Sequence, residues 1–473
     1  MISMKPYDLI VIGSGAGGLT AAFTALGFGK RVLIVEKDRS GGECTWSGCV
    51  PSKALINQAK DIHTARKYAD FPIDTSAILE RVRAVSEHVY EEETPEVLQK
   101  AGAEYVNGFA RFISPSRIEV GDRTYEGKKF VLATGSSPFA PPIPGLDQVD
   151  YLTNENFFQQ AVLPASIIVL GGGPIGIELA QAMNRLGVQV TVVEMMPEIL
   201  SREEPEFSVL IRQRLSAEGV RFELGTKAVG VEKTPAGVRL NTEQNGETGS
   251  LEAANLMVAI GRAPNVKGMG LEDIGVNIDK GVEVNQHLQS SVKTIYACGD
   301  VAGPYLLSHM ANFQGKLAAM NAILPINRAV DYRHVAWVTF TDPEFARAGL
   351  TEQEARERHG DSIRVYRYDF AKLDRAKTKA GDTGLIKLIT SSRGKVLGAH
   401  IIAERAGELI AEVQVLKTLN LNFGKLQKVI HPYPTYADSL RQLSQQVFLD
   451  NILKHPVVSF LRSFGKRKKQ TSE

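Results

Sequence analysis

The chain is 473 residues long, 43% hydrophobic, 23% charged and 7% aromatic, a globular composition that excludes disorder, collagen-like repetition and coiled coil and leaves room for about three domains. Fifty-five basic residues against fifty-three acidic ones give a net charge of +2, too even for a protein whose work is to neutralise nucleic-acid phosphates. Three cysteines exclude a disulfide-stapled secreted scaffold and make a reducing compartment, the cytoplasm, the expected location.

The N-terminal apolar segment has the look of a signal peptide, but Asp8 interrupts it and glycines fill its middle, so it reads as a strand followed by a helix. No run of about 18 or more uninterrupted apolar residues occurs, and a spanning helix is not expected. The opening pattern then comes back. YDLIVIGSGAGGLTAAFTALGFGKRVLIVEKD at the start has a second copy from Ala165, ASIIVLGGGPIGIELAQAMNRLGVQVTVVEMM. In each an apolar run leads into GxGxxG, formed by Gly13, Gly15 and Gly18 and by Gly171, Gly173 and Gly176, and a second apolar run ends in an acid, Glu36 or Glu194.

A bare GxGxxG is also what a glycine-rich turn between a strand and a helix looks like. The strand before, the helix after and the closing acid make it a dinucleotide-binding βαβ unit. The glycines permit a tight turn and let backbone approach a pyrophosphate at the helix N-terminus, and the acid accepts from ribose hydroxyls. Two copies imply two dinucleotides, with electrons passing between them. In the second, a 2′-phosphate about 4 Å from Glu194 would be disfavoured by about 4 kcal/mol at an effective dielectric of 20, so NAD is expected rather than NADP; Arg202 would offset part of that repulsion.

Directly after Glu36 comes KDRSGGECTWSGCVPSKALINQAKDIHTARKY, with four residues between Cys44 and Cys49 and Pro51 in the first turn of a predicted helix. Cys49 is thus expected at a helix N-terminus, where the dipole favours a thiolate. Zinc would need two further ligands, and Cys298 lies in an unrelated apolar segment. Two inert buried thiols are a second reading; a redox-active dithiol beside the first dinucleotide is the third, and position favours it.

CTWSGCVPSK resembles the active-site motif of the class I pyridine nucleotide-disulfide oxidoreductases, FAD flavoproteins that include dihydrolipoamide dehydrogenase, glutathione reductase and mercuric reductase. VLATGSSPFAPPIPG at 131–145 and MVAIGRAPN at 257–265 resemble the connecting motifs of that family, with Thr134, Gly135, Gly261 and Arg262 as cofactor-binding candidates. TIYACGDVAG at 294–303 resembles its second FAD motif, with Gly299 and Asp300, and VTFTDPEFARAGLTE at 338–352 its interface domain. The resemblance implies an α/β fold with two Rossmann-like domains and a C-terminal α+β dimerisation domain. Its boundaries are FAD domain 1–150, NAD domain 151–264, the resumed FAD domain 265–335 and interface domain 336–473. It implies a homodimer holding FAD and NAD, with Cys44 meeting the acceptor, Cys49 facing the flavin, Lys53 near the flavin N5 and Glu178 as its ion-pair partner; Cys298 is expected to be a small buried residue.

The C-terminal motif departs from the family. Members acting on disulfides carry HPTxxE, whereas this chain reads VIHPYPTYADSLRQL from Val429 to Leu443. The ungapped register puts Tyr433 in the acid/base position, as in mercuric reductase, and Asp438 in the orienting one; the alternative anchors on His431. A histidine titrates near 6.5 and a tyrosine near 10, so Tyr433 predicts slow thiol–disulfide chemistry at neutral pH. No cysteine follows Cys298, so the C-terminal pair with which mercuric reductases deliver metal is missing. Val457, Phe460, Leu461 and Phe464 fall at helical spacing before the basic run Lys466 to Lys469, a segment (456–469) suited to packing on its own protein or to lying on an anionic membrane surface. The expected function is electron transfer from NAD(P)H through flavin to the Cys44–Cys49 disulfide and on to a disulfide or small-molecule acceptor. The alternatives are a quinone or metal-ion reductase and a nucleotide-binding redox sensor with little turnover. No resident metal and no nucleic acid are expected.

Overall fold

A computed structural model describes residues 5–379 and 384–453, which form two compact units. One comprises Met1–Pro197 and Ser216–Asp331, the other Glu198–Leu215 and Tyr332–Glu473, each as far as it is described. The basic segment 456–469 lies outside the described residues.

The first unit holds two parallel sheets. In one the strand order is Ile295–Ala297, Phe130–Leu132, Leu9–Ile12, Val32–Glu36, Glu104–Asn107. Leu9–Ile12 and Val32–Glu36 are buried along their whole length, as parallel strands covered on both faces must be. Side-chain alternation divides their residues between two cores: Ile10, Ile12, Leu33 and Val35 face one, Leu9, Val11, Val32 and Ile34 the other. The second sheet runs Arg221–Leu224, Gln189–Glu194, Ser166–Leu170, Asn255–Val258, again all parallel. Its core gathers Ile168, Leu170, Val193, Leu256 and Val258 with Val231 and Leu240 of an adjoining three-stranded antiparallel sheet. The two connecting motifs pair with each other, Ser136–Pro138 running antiparallel to Arg262–Pro264.

The second unit is α+β. Five antiparallel strands stand in the order Ala336–Thr339, Glu344–Gly349, Val396–Ala403, Leu385–Ser391, Ile363–Asp369. Its core joins Leu388, Ile401, Phe370 and Phe423 to Val413 and Leu440 of the helices Ala406–Thr418 and Asp438–Leu453. Residues 198–215, inside the stretch expected to be the NAD domain, group with this unit. The reason is local: Phe207 stacks on Phe345 at 5.3 Å between ring centres. The buried ammonium of Lys387 meets carboxylates of Glu204, Glu206 and Glu352 at 2.6, 2.7 and 2.8 Å. Breaking such a buried set by removing one partner would leave uncompensated charge, so the segment is held where it is.

Candidate active site

Each glycine turn begins with a positive φ, 99° at Gly13 and 116° at Gly171, a region that glycine enters without a Cβ penalty. A Cβ on Gly13 would lie 2.3 Å from the Ala133 carbonyl oxygen and one on Gly171 2.5 Å from that of Ala259. The third glycines are packed as closely: Gly18 would place a Cβ 1.9 Å from the Gly13 oxygen, and Gly176 2.2 Å from that of Gly171. The middle glycines face open space. A Cβ on Gly173 meets nothing within 4 Å, and one on Gly15 meets only the Gly42 Cα at 3.7 Å. These openings stand at the N-termini of the helices Ala16–Gly27 and Pro174–Arg185, where free N–H groups and the helix dipole attract phosphate.

The closing acids repeat one arrangement. Glu36 accepts from the backbone N–H of Ser14 at 2.7 Å and of Asp38 at 3.0 Å; Glu194 accepts from those of Gly172 at 2.6 Å and Met196 at 2.8 Å. A carboxylate offers about four acceptor sites, so each retains capacity for ribose hydroxyls. Both cradles fit the diphosphate and ribose of a dinucleotide. Beside the first, Thr134 Oγ1 donates to the Asn265 carbonyl at 2.7 Å, and the Asn265 N–H donates to the Gly135 carbonyl at 3.0 Å. Asp300, directly after Gly299, accepts from Ser136 Oγ at 2.5 Å.

The dithiol segment folds back over the first cradle. A Cβ on Gly42 would come 2.6 Å from the Gly15 Cα, so only glycine allows the two backbones to approach. Cys44 lies in the short helix Gly42–Trp46, and Cys49 is the first residue of the helix Cys49–Ala65; both are free thiols. The Cys44 thiol, by hydrogen bonding to the Cys49 sulfur, pulls the Cys49 pKa well down. The Ser308 hydroxyl and the Lys53 charge assist against the opposing effect of burial. The same hydrogen bond, with burial, pushes Cys44 up. The surroundings therefore favour the proton on Cys44 and the negative charge on Cys49, at a helix N-terminus that stabilises it. Ser308 Oγ is 3.3 Å from Cys49 Sγ. One helical turn after Cys49, Lys53 Nζ donates to Glu178 Oε2 at 2.8 Å, with the Glu178 side chain buried.

His431, Tyr433 and Asp438 lie in the second unit. His431 Nε2 is 2.9 Å from Glu412 Oε1 and its Nδ1 3.1 Å from the Val429 carbonyl oxygen, with the side chain only 5% exposed. Tyr433 is 72% exposed, and its hydroxyl donates at 3.0 Å to Asp374, a contact that raises its pKa. Asp438, the expected orienting residue, accepts from Arg441 Nε at 2.6 Å and Gln442 Nε2 at 2.7 Å, and the His431 charge also acts on it. It opens the helix Asp438–Leu453, so residues three and four positions on are its nearest donors. Within the chain the carboxylate beside His431 is Glu412.

The family model described as pyridine nucleotide-disulphide oxidoreductase matches residues 7–319, and that of the same family's dimerisation domain matches 335–444. The chain belongs to this family. It is 38% identical over 455 residues to a dihydrolipoyl dehydrogenase of Thermus scotoductus, covering 93% of this chain and 97% of the relative. To a mercuric reductase of Streptomyces lividans it is 35% identical over 464 residues, covering 95% and 97%. Among solved structures it is similar to the HOCl-induced flavoprotein disulfide reductase RclA of Escherichia coli, with a TM-score of 0.84 at 25% identity over 93% of this chain and 99% of that one. Members of this family are FAD-dependent oxidoreductases that use NAD(P)H, and the dimerisation domain supports a homodimer. Among the described residues no helix is long and apolar enough to cross a membrane.

Four residues escaped the sequence reading, Gly42, Glu43 and Ser308 in the first unit and Glu412 in the second. Gly42 and Glu43 had a visible signal, since they stand directly before Cys44. Ser308 and Glu412 had none: Ser308 is 259 positions from the sulfur it meets, and Glu412 is an unremarkable acid in the helix Ala406–Thr418. Cys298 is buried, packs 3.1 Å from where a Gly17 Cβ would lie, and is pushed up to about 12 by burial, the behaviour of an inert thiol.

Proposed function

We propose that this enzyme carries electrons from a nicotinamide dinucleotide, NADH in preference to NADPH, through FAD to the Cys44–Cys49 pair, and from there to a disulfide or other small-molecule acceptor. The observation that carries the reading is the placement of Cys49, the first residue of a helix, with Ser308 Oγ 3.3 Å from its sulfur and the Lys53–Glu178 pair one turn on, surroundings that favour a thiolate. Gly13, Gly15, Gly18 and Glu36, with Gly299 and Asp300, would hold FAD; Gly171, Gly173, Gly176 and Glu194 would hold NAD; Thr134, Gly135, Gly261 and Arg262 belong to the segments that join them. A bound flavin supplies two-electron chemistry, accepting from reduced nicotinamide and donating to a disulfide.

The residues of the chain manage the charge. When two electrons break the Cys44–Cys49 bond, Cys44 takes up one proton and Cys49 remains a thiolate. The Lys53 ammonium stabilises negative charge there, and Glu178 compensates Lys53 in its partly buried position. Delivery runs in reverse at Cys44, which loses its proton as it attacks the acceptor. In the homodimer the segment 429–438 of one subunit would complete the dithiol site of the other. Its exposure favours Tyr433 for this role, since the His431 side chain is almost covered and held by Glu412. A tyrosine raised by Asp374 is a poor base at neutral pH, so slow exchange with disulfides is expected. The related RclA structures include a Cu(II) complex, which favours a metal ion as the second acceptor class. A cytoplasmic location follows from keeping the thiols reduced.

The deciding experiment is two-electron reduction of the purified flavoprotein. Cys49→Ser should retain FAD and show no long-wavelength thiolate–flavin charge-transfer band, while Cys44→Ala, which has no disulfide to reduce, should show the band with oxidised flavin and lose it when two electrons enter the flavin; a wild-type band in Cys49→Ser removes Cys49 from this role. Turnover with lipoamide, glutathione disulfide, Cu(II), Hg(II) and quinones, using both nicotinamides, then assigns the acceptor.

A further inference from the structure

Glu43 sits in the first turn of the helix that carries Cys44. Its Oε1 accepts from Arg262 Nη1 and from Asn154 Nδ2, both at 2.6 Å, and its Oε2 accepts from Arg262 Nη2. Asn154 also donates to the Ser47 carbonyl at 3.3 Å, inside the dithiol loop. The Arg262 side chain, only 9% exposed, directs its other donors to a single residue: Nε to Ser136 Oγ and Nη2 to the Ser136 carbonyl, each at 2.7 Å. Ser136 Oγ donates to Asp300 Oδ2 at 2.5 Å, and Arg262 Nε lies 3.6 Å from that oxygen. One buried guanidinium thus stands between two carboxylates, one on the dithiol turn and the other the candidate flavin-site acid.

We propose that Glu43 is a positioning residue: through Arg262 it fixes the turn that carries Cys44 to the flavin-site acid Asp300. The inference rests on the reading of the first cradle as the flavin site. A guanidinium bound at both nitrogens by one carboxylate is oriented as well as attracted, and the antiparallel pairing of Arg262–Pro264 with Ser136–Pro138 anchors it on rigid backbone. Glu43 is the residue of the dithiol turn that Arg262 holds, and Asn154 adds a second contact at the Ser47 carbonyl. Without its charge the guanidinium would turn wholly to Asp300, and the turn would lose its tether. Burial lifts the Glu43 carboxyl to about 7, although Arg262 and Asn154 oppose the rise; Asp300 and Glu155 add to it.

The test uses the intact FAD-loaded protein. Glu43→Gln keeps the shape and removes the charge. It should release FAD roughly tenfold faster, weaken the charge-transfer band, and raise the dithiol midpoint potential, because reduction to a thiolate is no longer opposed by a neighbouring carboxylate. A tenfold change in that equilibrium is about 30 mV for a two-electron couple. Glu43→Asp should recover part of each effect, and adding Glu43→Gln to Arg262→Gln should change little, since both remove one link. A Glu43→Gln protein with wild-type FAD release, band and potential overturns the proposal. Should that variant fail to fold, Asn154→Ala decides by the same readouts: a smaller shift in the same direction supports the tether, and no shift overturns it. A wild-type protein without FAD or without the band refutes the functional reading instead.

Discussion

Up to their acids the two glycine turns are near copies. In both, the carboxylate binds the N–H of the residue after the first glycine and the N–H two positions beyond itself, and in both the third glycine packs against the first. After the acids they diverge. The first turn is followed by a chain that comes back over it, Gly42 against Gly15, and presents Cys44 and Cys49. Around Gly173 of the second turn nothing lies within 4 Å of a Cβ position, and residues 198–215 belong to the second unit. The glycine fingerprint thus fixes where the phosphates of a dinucleotide would lie, and the chain after the acid decides whether that dinucleotide is covered and coupled to sulfur or left open to exchange.

The most severe break in this comparison is Gly18→Ala. Its Cβ would stand 1.9 Å from backbone, which cannot be relieved by a rotamer change, so loss of FAD and of folded protein is expected, measured by flavin content and thermal unfolding. Gly173→Ala, placed in open space, should keep fold and flavin and raise only the KM for the nicotinamide. If the two variants behave alike, the third and middle glycines do not have the different roles that their surroundings assign them. Glu194→Ala tests the second turn alone. Up to about a thousandfold preference for NADH should collapse toward parity, given about 4 kcal/mol of charge repulsion removed, with flavin content unchanged; the kcat/KM ratio for NADH and NADPH reads it.

The smallest effect sharpens the first turn. The Cys49 pKa is depressed by Cys44, Ser308 and Lys53, so the stabilisation from its thiolate is present above the pKa of an unfolded cysteine and is lost as pH falls through the depressed value. Ser308→Ala removes one donor, worth about 1 kcal/mol. The charge-transfer band of the reduced enzyme should therefore fade at a pH up to about one unit higher than in wild type. An unchanged titration would show that the 3.3 Å contact does not bear on the thiolate.

Most of the fold was legible because it repeats. The buried runs of Leu9–Ile12 and Ser166–Leu170, the glycines after them and the acids closing Val32–Glu36 and Gln189–Glu194 form a local pattern that needs no distant partner to be recognised. The start of the helix at Cys49 was legible for the same reason. The C-terminal segment was not. Whether His431 or Tyr433 faces outward depends on Glu412 and Asp374, and neither stands near the motif in sequence. Asp438 matched its family position, yet its bonds go to Arg441 and Gln442, the donors its own helix places beside it.

From its sequence alone this protein was bound to build two dinucleotide cradles and to set a cysteine pair beside the first, because turn geometry, strand burial and helix capping act over a few residues. Tertiary structure alone decided which groups meet Cys49 and Arg262, Ser308 at the one and Glu43 at the other, and, within the second unit, that Glu412 meets His431. Those pairings depend on where sheets and helices from distant parts of the chain come to pack, and a hydrogen bond reaching about 3 Å leaves no periodic trace in the order of residues that it joins.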